Sequence, residues 1–98
     1  MPRFAVHHLP GGGLVVDLQS DFLSWLDTRV VAPLVPLDAA PPPARHLNPV
    51  VPLPSGRFML LTQSMAAVPA SALGAVVADL SAEQDAITRA MDMVFQGF

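Results

Sequence analysis

The chain has 98 residues, enough for one domain and too few for two hydrophobic cores. Hydrophobic residues make up 52% and charged residues 13%, which excludes general disorder and leaves too few charges to coat a monomer, so a homodimer is expected. Five Arg and no Lys face eight Asp plus Glu, net charge −3, and the arginines (3, 29, 45, 57, 89) are scattered, which argues against direct nucleic-acid binding.

Ten of the eleven prolines lie in the first 54 residues. Proline lacks the N–H that helices and central strands use, so this half reads as short strands and turns. Residues 4–8 alternate as a strand, the Pro10-Gly11-Gly12-Gly13 turn follows, and residues 14–18 return, giving a hairpin. Residues 19–28 form a connection carrying Phe22, Leu23, Trp25 and Leu26. Residues 29–34 are a β-branched strand that ends at prolines. Pro41-Pro42-Pro43 favours polyproline geometry and reads as an exposed loop. Residues 50–53 and 57–62 are two strands joined by the Pro54-Ser55-Gly56 turn, and 66–70 is another short one. Val76-Val77 extends the sheet. Residues 58–78 are uncharged and long enough to span a bilayer, but Thr62, Gln63, Ser64, Pro69, Ser71 and Gly74 fit two buried strands and a connection better.

A helix is expected over 82–96. Ser81 and Gln84 have capping-box spacing, Glu83 and Asp85 suit the helix dipole, and Asp85 with Arg89 is an i,i+4 pair. Ile87, Met91, Val94 and Phe98 form one apolar stripe, with Ala90 between, and Gly97 is a natural terminator. Phe95 and Phe98 leave two hydrophobes at the helix end.

Catalytic chemistry finds little support. Without cysteine there is no disulfide and no thiolate metal site, and a reducing cytoplasm suits the chain. No secretory leader is expected. His7 and His8 alternate on a strand and face opposite ways, and His46 is remote, so no metal or other cofactor is expected. Asp17 and Asp21 flank a strand end and read as turn-capping groups. Met59, Met65, Met91 and Met93 read as core and interface filling. The residues alone describe a mainly β domain with one C-terminal α-helix, built for interaction.

Five segments in order resemble the CcdB family, toxins of bacterial toxin–antitoxin pairs that act on DNA gyrase. They are Val15-Val16-Asp17-Leu18-Gln19-Ser20-Asp21, Leu47-Asn48-Pro49-Val50-Val51, Met65-Ala66-Ala67-Val68-Pro69, Val77-Ala78-Asp79-Leu80-Ser81 and Val94-Phe95-Gln96-Gly97-Phe98. The resemblance covers the chain as one CcdB-like domain, 1–98, with a shortened first hairpin loop. It implies an SH3-like barrel of the CcdB/MazF toxin type, a homodimer about the C-terminal helices through Met91, Val94 and Phe95, and no enzyme activity. It further implies a cytoplasmic poison of the gyrase A subunit, silenced by a cognate antitoxin and suited to plasmid maintenance, with no membrane partner. Gyrase-facing residues would be Gln96, Gly97 and Phe98, where the family has Trp-Gly-Ile, together with Ser20, Phe22 and Leu23. Two other readings stay open: a diverged relative that binds only antitoxin or another target, and a MazF-type ribonuclease toxin, which would need a basic groove.

Overall fold

A computed structural model describes residues 2–98 of the chain. Seven strands form one antiparallel sheet: β1 (Ala5–His8), β2 (Leu14–Asp17), β3 (Thr28–Pro36), β4 (Val50–Leu53), β5 (Gly56–Leu60), β6 (Ala66–Pro69) and β7 (Val76–Asp79). The order is β4-β5-β3-β2-β1-β7, with β6 also on β3, and one helix, α1 (Gln84–Gln96), follows. The sheet curls into a half-barrel, so the fold is mainly β with a C-terminal helix, as expected. Among the described residues no helix is long and apolar enough to cross a membrane.

Period-two alternation explains the main core. The aligned residues Val6, Val16 and Ala32 join Phe4, Leu18, Leu34, Val51, Leu53, Leu60 and Leu80 on one face, and Ile87 of α1 closes over it. The opposite face of the central strands is buried too, at His7, Val15, Asp17, Val31 and Arg29. Topology supplies the reason. β6 pairs with β3 and β7 with β1, so the connection over 70–75 must cross β2. His7 holds its far end through Nδ1, 3.0 Å from the Gly74 carbonyl, while the Gly74 N–H donates to the His8 carbonyl at 2.8 Å.

Four expectations need correction. β3 does not end at Leu34 but runs nine residues, Thr28–Pro36. Pro33 sits where β3 leaves β6 (residues 28–31) and meets β5 (34–36), so its missing donor falls at a change of partner, and its carbonyl accepts from Leu61 N–H. The uncharged stretch holds parts of three strands and not two buried ones: β5 buries Met59 and Leu60, while β6 and β7 are largely exposed. The capping box does not form. Residues Ser81–Glu83 make a 3-10 turn, α1 starts at Gln84, and no side chain caps it. Instead Asp79 Oδ1 accepts the Ser81 N–H at 2.7 Å. Leu80 N–H is held by the Phe4 carbonyl, which keeps β7 extended to its last residue and leaves Ser81 one turn early for the helix cap. Nor do Asp85 and Arg89 pair; among the described residues the one ion pair is Arg29–Asp17.

A polar knot binds the loop before β4. Asn48 Nδ2 donates to the Leu60 carbonyl and to Gln63 Oε1, its Oδ1 accepts from Ala44 N–H, and Thr62 Oγ1 donates to the Leu47 carbonyl. Asn48 and Thr62 are buried, so their side-chain groups would be costly unpaired. The strands at the two ends of the sheet, β4 and β7, each keep one edge without a strand partner.

Two outcomes test this account. Ile87→Ala removes the helix's main anchor, fully buried in the core cluster, and should lower unfolding free energy by about 2–5 kcal/mol in urea titration. Hydrogen bonds from Ser81, hydroxyl first and backbone N–H second, hold the Asp79 carboxyl below the ordinary aspartate range. A depressed carboxyl contributes stability above its unfolded-state pKa and loses it as pH falls through its folded-state value. Asp79→Asn should therefore flatten the acid limb of the stability–pH curve below the ordinary aspartate range.

Candidate functional site

The expected contact residues sit on two exposed projections. The first is the β2–β3 connection. Asp17, at the end of β2, is fully buried, and Oδ2 accepts from Arg29 Nε at 2.8 Å, with Arg29 only 1% exposed. Oδ1 of the same carboxylate accepts Gln19 N–H at 3.0 Å, so Asp17 does cap the turn as expected, while also holding a buried cation that sequence reasoning missed. Arg29 Nη2 donates to the Gln19 carbonyl at 3.4 Å. The Gln19 side chain then ties both ends of the connection: Nε2 donates to Leu23 O and Oε1 accepts from Val30 N–H.

On this base stands the short 3-10 turn Asp21–Leu23, capped by Ser20 Oγ, which accepts from Phe22 N–H at 3.2 Å. Asp21 does not cap the turn; its Oδ1 accepts the Arg3 N–H at 2.9 Å and ties the N-terminal segment to the connection. Phe22 is 92% exposed, Leu23 41% and Trp25 75%. Ser20, Phe22 and Leu23 are thus held by a rigid backbone with their apolar groups outward.

The second projection is the end of α1. The apolar stripe divides in two. Ile87 and Ala90 are buried and Met91 packs against the core, so much of Met91 is already used within its own chain. Val94 is exposed, Phe95 is 72% and Phe98 81% exposed. Gly97 terminates the helix in the left-handed region, φ 81°, and its N–H bonds to Met93 O at 3.1 Å. A Cβ there would meet nothing within 4 Å, so the glycine is explained by backbone conformation and not by crowding within the chain. The Gln96 amide reaches only Asp92 Oδ1, at 3.5 Å. No hydrogen bond or ion pair joins residues 20–23 to 96–98 among the described residues.

Catalytic features are sparse. No group of three or more His, Asp or Glu that could hold a metal occurs among the described residues. Buried Arg29 cannot serve a surface groove. Two clefts flank the β4–β5 turn. One, of about 610 Å³, is lined by Leu37, Asp38, Arg57 and Phe58; the other, of about 280 Å³, by His8, Leu14, Leu53 and Val77. They share Ser55, and the larger one places Asp38 and Arg57 in the same lining, with no ion pair between them among the described residues.

The half-barrel thus carries two uncovered apolar projections, the β2–β3 connection and the end of α1. Residues 3–97 match the family described as CcdB protein, and the chain belongs to that family, whose members are toxins of toxin–antitoxin pairs. Solved structures with the same fold include an endoribonuclease in complex with its cognate antitoxin from a mycobacterial species. The identity is 12%, 97% of this chain and 95% of that one are covered, and the TM-score is 0.80. The Mycobacterium tuberculosis toxin MazF-mt6 aligns at 15% identity over 93% and 95%, TM-score 0.75. Another M. tuberculosis toxin aligns at 18% over 92% and 99%, TM-score 0.75.

Breaking the buried pair is the sharpest test of the first projection. Arg29→Ala strands the Asp17 carboxylate and should cost about 3–5 kcal/mol in urea unfolding. The double change Asp17→Leu with Arg29→Met removes both charges and should cost less than Arg29→Ala alone.

Proposed function

We propose that this chain is a non-enzymatic toxin that acts as a homodimer in the cytoplasm, binds the DNA gyrase A subunit and traps its cleaved-DNA complex until a cognate antitoxin covers it. The observation that carries this reading is the CcdB family match over residues 3–97. The exposure of Phe22, Leu23, Phe95 and Phe98, on a pinned turn and at a helix end, supports it, because docking anchors must be uncovered and held in place. We take residues 1–98 as one toxin domain. Val94 and Phe95 are available for a self-interface, and Met91 would reach it only in part, since it also packs inward.

At the α1 terminus Gln96 stands where relatives in the family carry Trp. A buried ring and its cation–π attraction, about 0.5–2 kcal/mol, are lost with it, so gyrase affinity should be about tenfold or more below that of a Trp-bearing relative. Phe98 remains as the apolar anchor, worth about 1.5–3 kcal/mol if buried.

The ribonuclease reading has one observation in its favour, the shared fold with an endoribonuclease. Residue chemistry weighs against it: the net charge is −3 and one of the five arginines is sealed inside.

Gln96→Trp should raise gyrase binding and cleavage-complex yield, and deletion of Gly97 and Phe98 should abolish both while leaving the unfolding curve and antitoxin binding unchanged. A truncated protein as toxic as the full chain would overturn the gyrase mechanism. Cleavage of single-stranded RNA at substoichiometric protein, without metal, would establish the ribonuclease reading in its place.

A further inference from the structure

The β2–β3 connection holds a second large ring besides Phe22. Trp25 is 75% exposed, yet its backbone surroundings are fixed: Leu26 N–H bonds to Leu23 O at 3.0 Å and Ala70 N–H to Asp27 O at 2.7 Å. The Gln19 side chain clamps the same segment from the other end. An uncovered indole on a fixed backbone has little freedom left to lose when it docks, which is the usual condition of an interface anchor.

Charge around the ring says what would dock. Between Leu18 and Arg29 the only charged residues are Asp21 and Asp27, both exposed. Arg29 turns inward to Asp17. Arg3 lends its backbone N–H to Asp21, but its guanidinium bonds to the Leu18 carbonyl and lies 4.7 Å from the Phe4 ring centroid. Two aromatic faces flanked by two carboxylates, and no cation from the connection itself, attract one group above others. A guanidinium stacks on an indole face and pairs with a carboxylate in the same approach.

We infer that Trp25 is a specificity-determining contact of this toxin, its indole face receiving an arginine side chain of the target protein with Asp27 as the paired carboxylate. This rests on the gyrase reading above and adds a residue to the Ser20, Phe22 and Leu23 group on the same connection.

The chain has one Trp and no Tyr, so its indole emission reports on Trp25 alone. Purified protein is titrated with the dimer-gate fragment of the gyrase A subunit, and separately with the cognate antitoxin. Saturable change in emission with gyrase is expected. Trp25→Ala should weaken gyrase binding about tenfold or more. Trp25→Phe should retain part of the affinity, and Asp27→Asn should weaken it and reduce its salt dependence. Unfolding midpoint and sedimentation should not move. Gyrase binding by Trp25→Ala equal to that of the unaltered protein overturns the inference alone. A smaller sedimenting species for Trp25→Ala also overturns it, because a second copy then covers the ring. Failure of the unaltered protein to bind gyrase, with antitoxin binding intact, overturns the gyrase reading itself and this inference with it.

Discussion

One ion pair, Arg29 with Asp17, sits where the chain has least water to spare. Taking two charges out of solvent costs several kcal/mol per ion, and their attraction offsets this only if the remaining polar atoms are also satisfied. Here the second carboxylate oxygen takes a backbone N–H and a second guanidinium nitrogen reaches a carbonyl, both from Gln19. The same contacts join the last residue of β2 to the second residue of β3. They therefore set where the chain leaves the sheet and where it returns. Of the ten residues between, Leu18 and Gln19 stay buried while Asp21–Trp25 and Asp27 are exposed on the base those buried contacts fix, and the exposed face depends on that internal fixture.

The remaining polar groups in the interior work the same way. Asn48 and Thr62 stitch the loop before β4 to the turn after β5, and His7 fastens the crossover that covers the back of β2. Each lies at a place where the backbone changes partner and leaves carbonyls or N–H groups without a ladder. Apolar burial supplies the bulk of the driving force, but it is non-directional. These side-chain bonds give it a definite register. Phe4 illustrates the demand. Its backbone takes φ 71°, strained for a residue with a Cβ, and is held there by Asp17 O accepting its N–H at 2.7 Å and Leu80 N–H donating to its carbonyl at 2.9 Å.

Much of the fold could be read in advance because proline and periodicity act locally. The hairpin, the strand order along the chain and the terminal helix all follow from short-range pattern. What escaped reading depends on partners. Nothing near Pro33 tells that β3 changes neighbours there, so Pro33 and Pro36 together look like the close of the strand. Ser81 and Gln84 have the right spacing, but a carbonyl of Phe4 decides that β7 ends where it does. The Asp17–Arg29 pair had a detectable signal: a lone acid and a lone Arg at twelve-residue separation, each in an otherwise β-branched strand. Once the two strands are paired antiparallel, with Asp17 opposite Val31, Arg29 falls two residues along on the same face. The exposed site residues were placed by family likeness and not by pattern, because exposure of Phe22 or Phe98 depends on what else folds over them. The Met91, Val94 and Phe98 stripe shows the limit: helical spacing puts them on one side, and only packing divides the side into a buried and an open half.

The two ends of the sheet are unequal. In β4, Pro52 stands opposite Arg57, next to the bonded pair Leu53–Gly56 that closes a two-residue turn. In an antiparallel ladder bonded and non-bonded pairs alternate, so the donor that Pro52 lacks is one that would face outward. β7 carries no proline and offers Val76 and Val77 at the surface. Head-to-tail stacking of sheets needs both ends, and one is blunted. Addition of β7 to β7 about a two-fold axis would be complete at two copies and could not propagate into a fibre. In a chain with so little surface charge, a single imino acid thus blunts the far edge against open-ended growth.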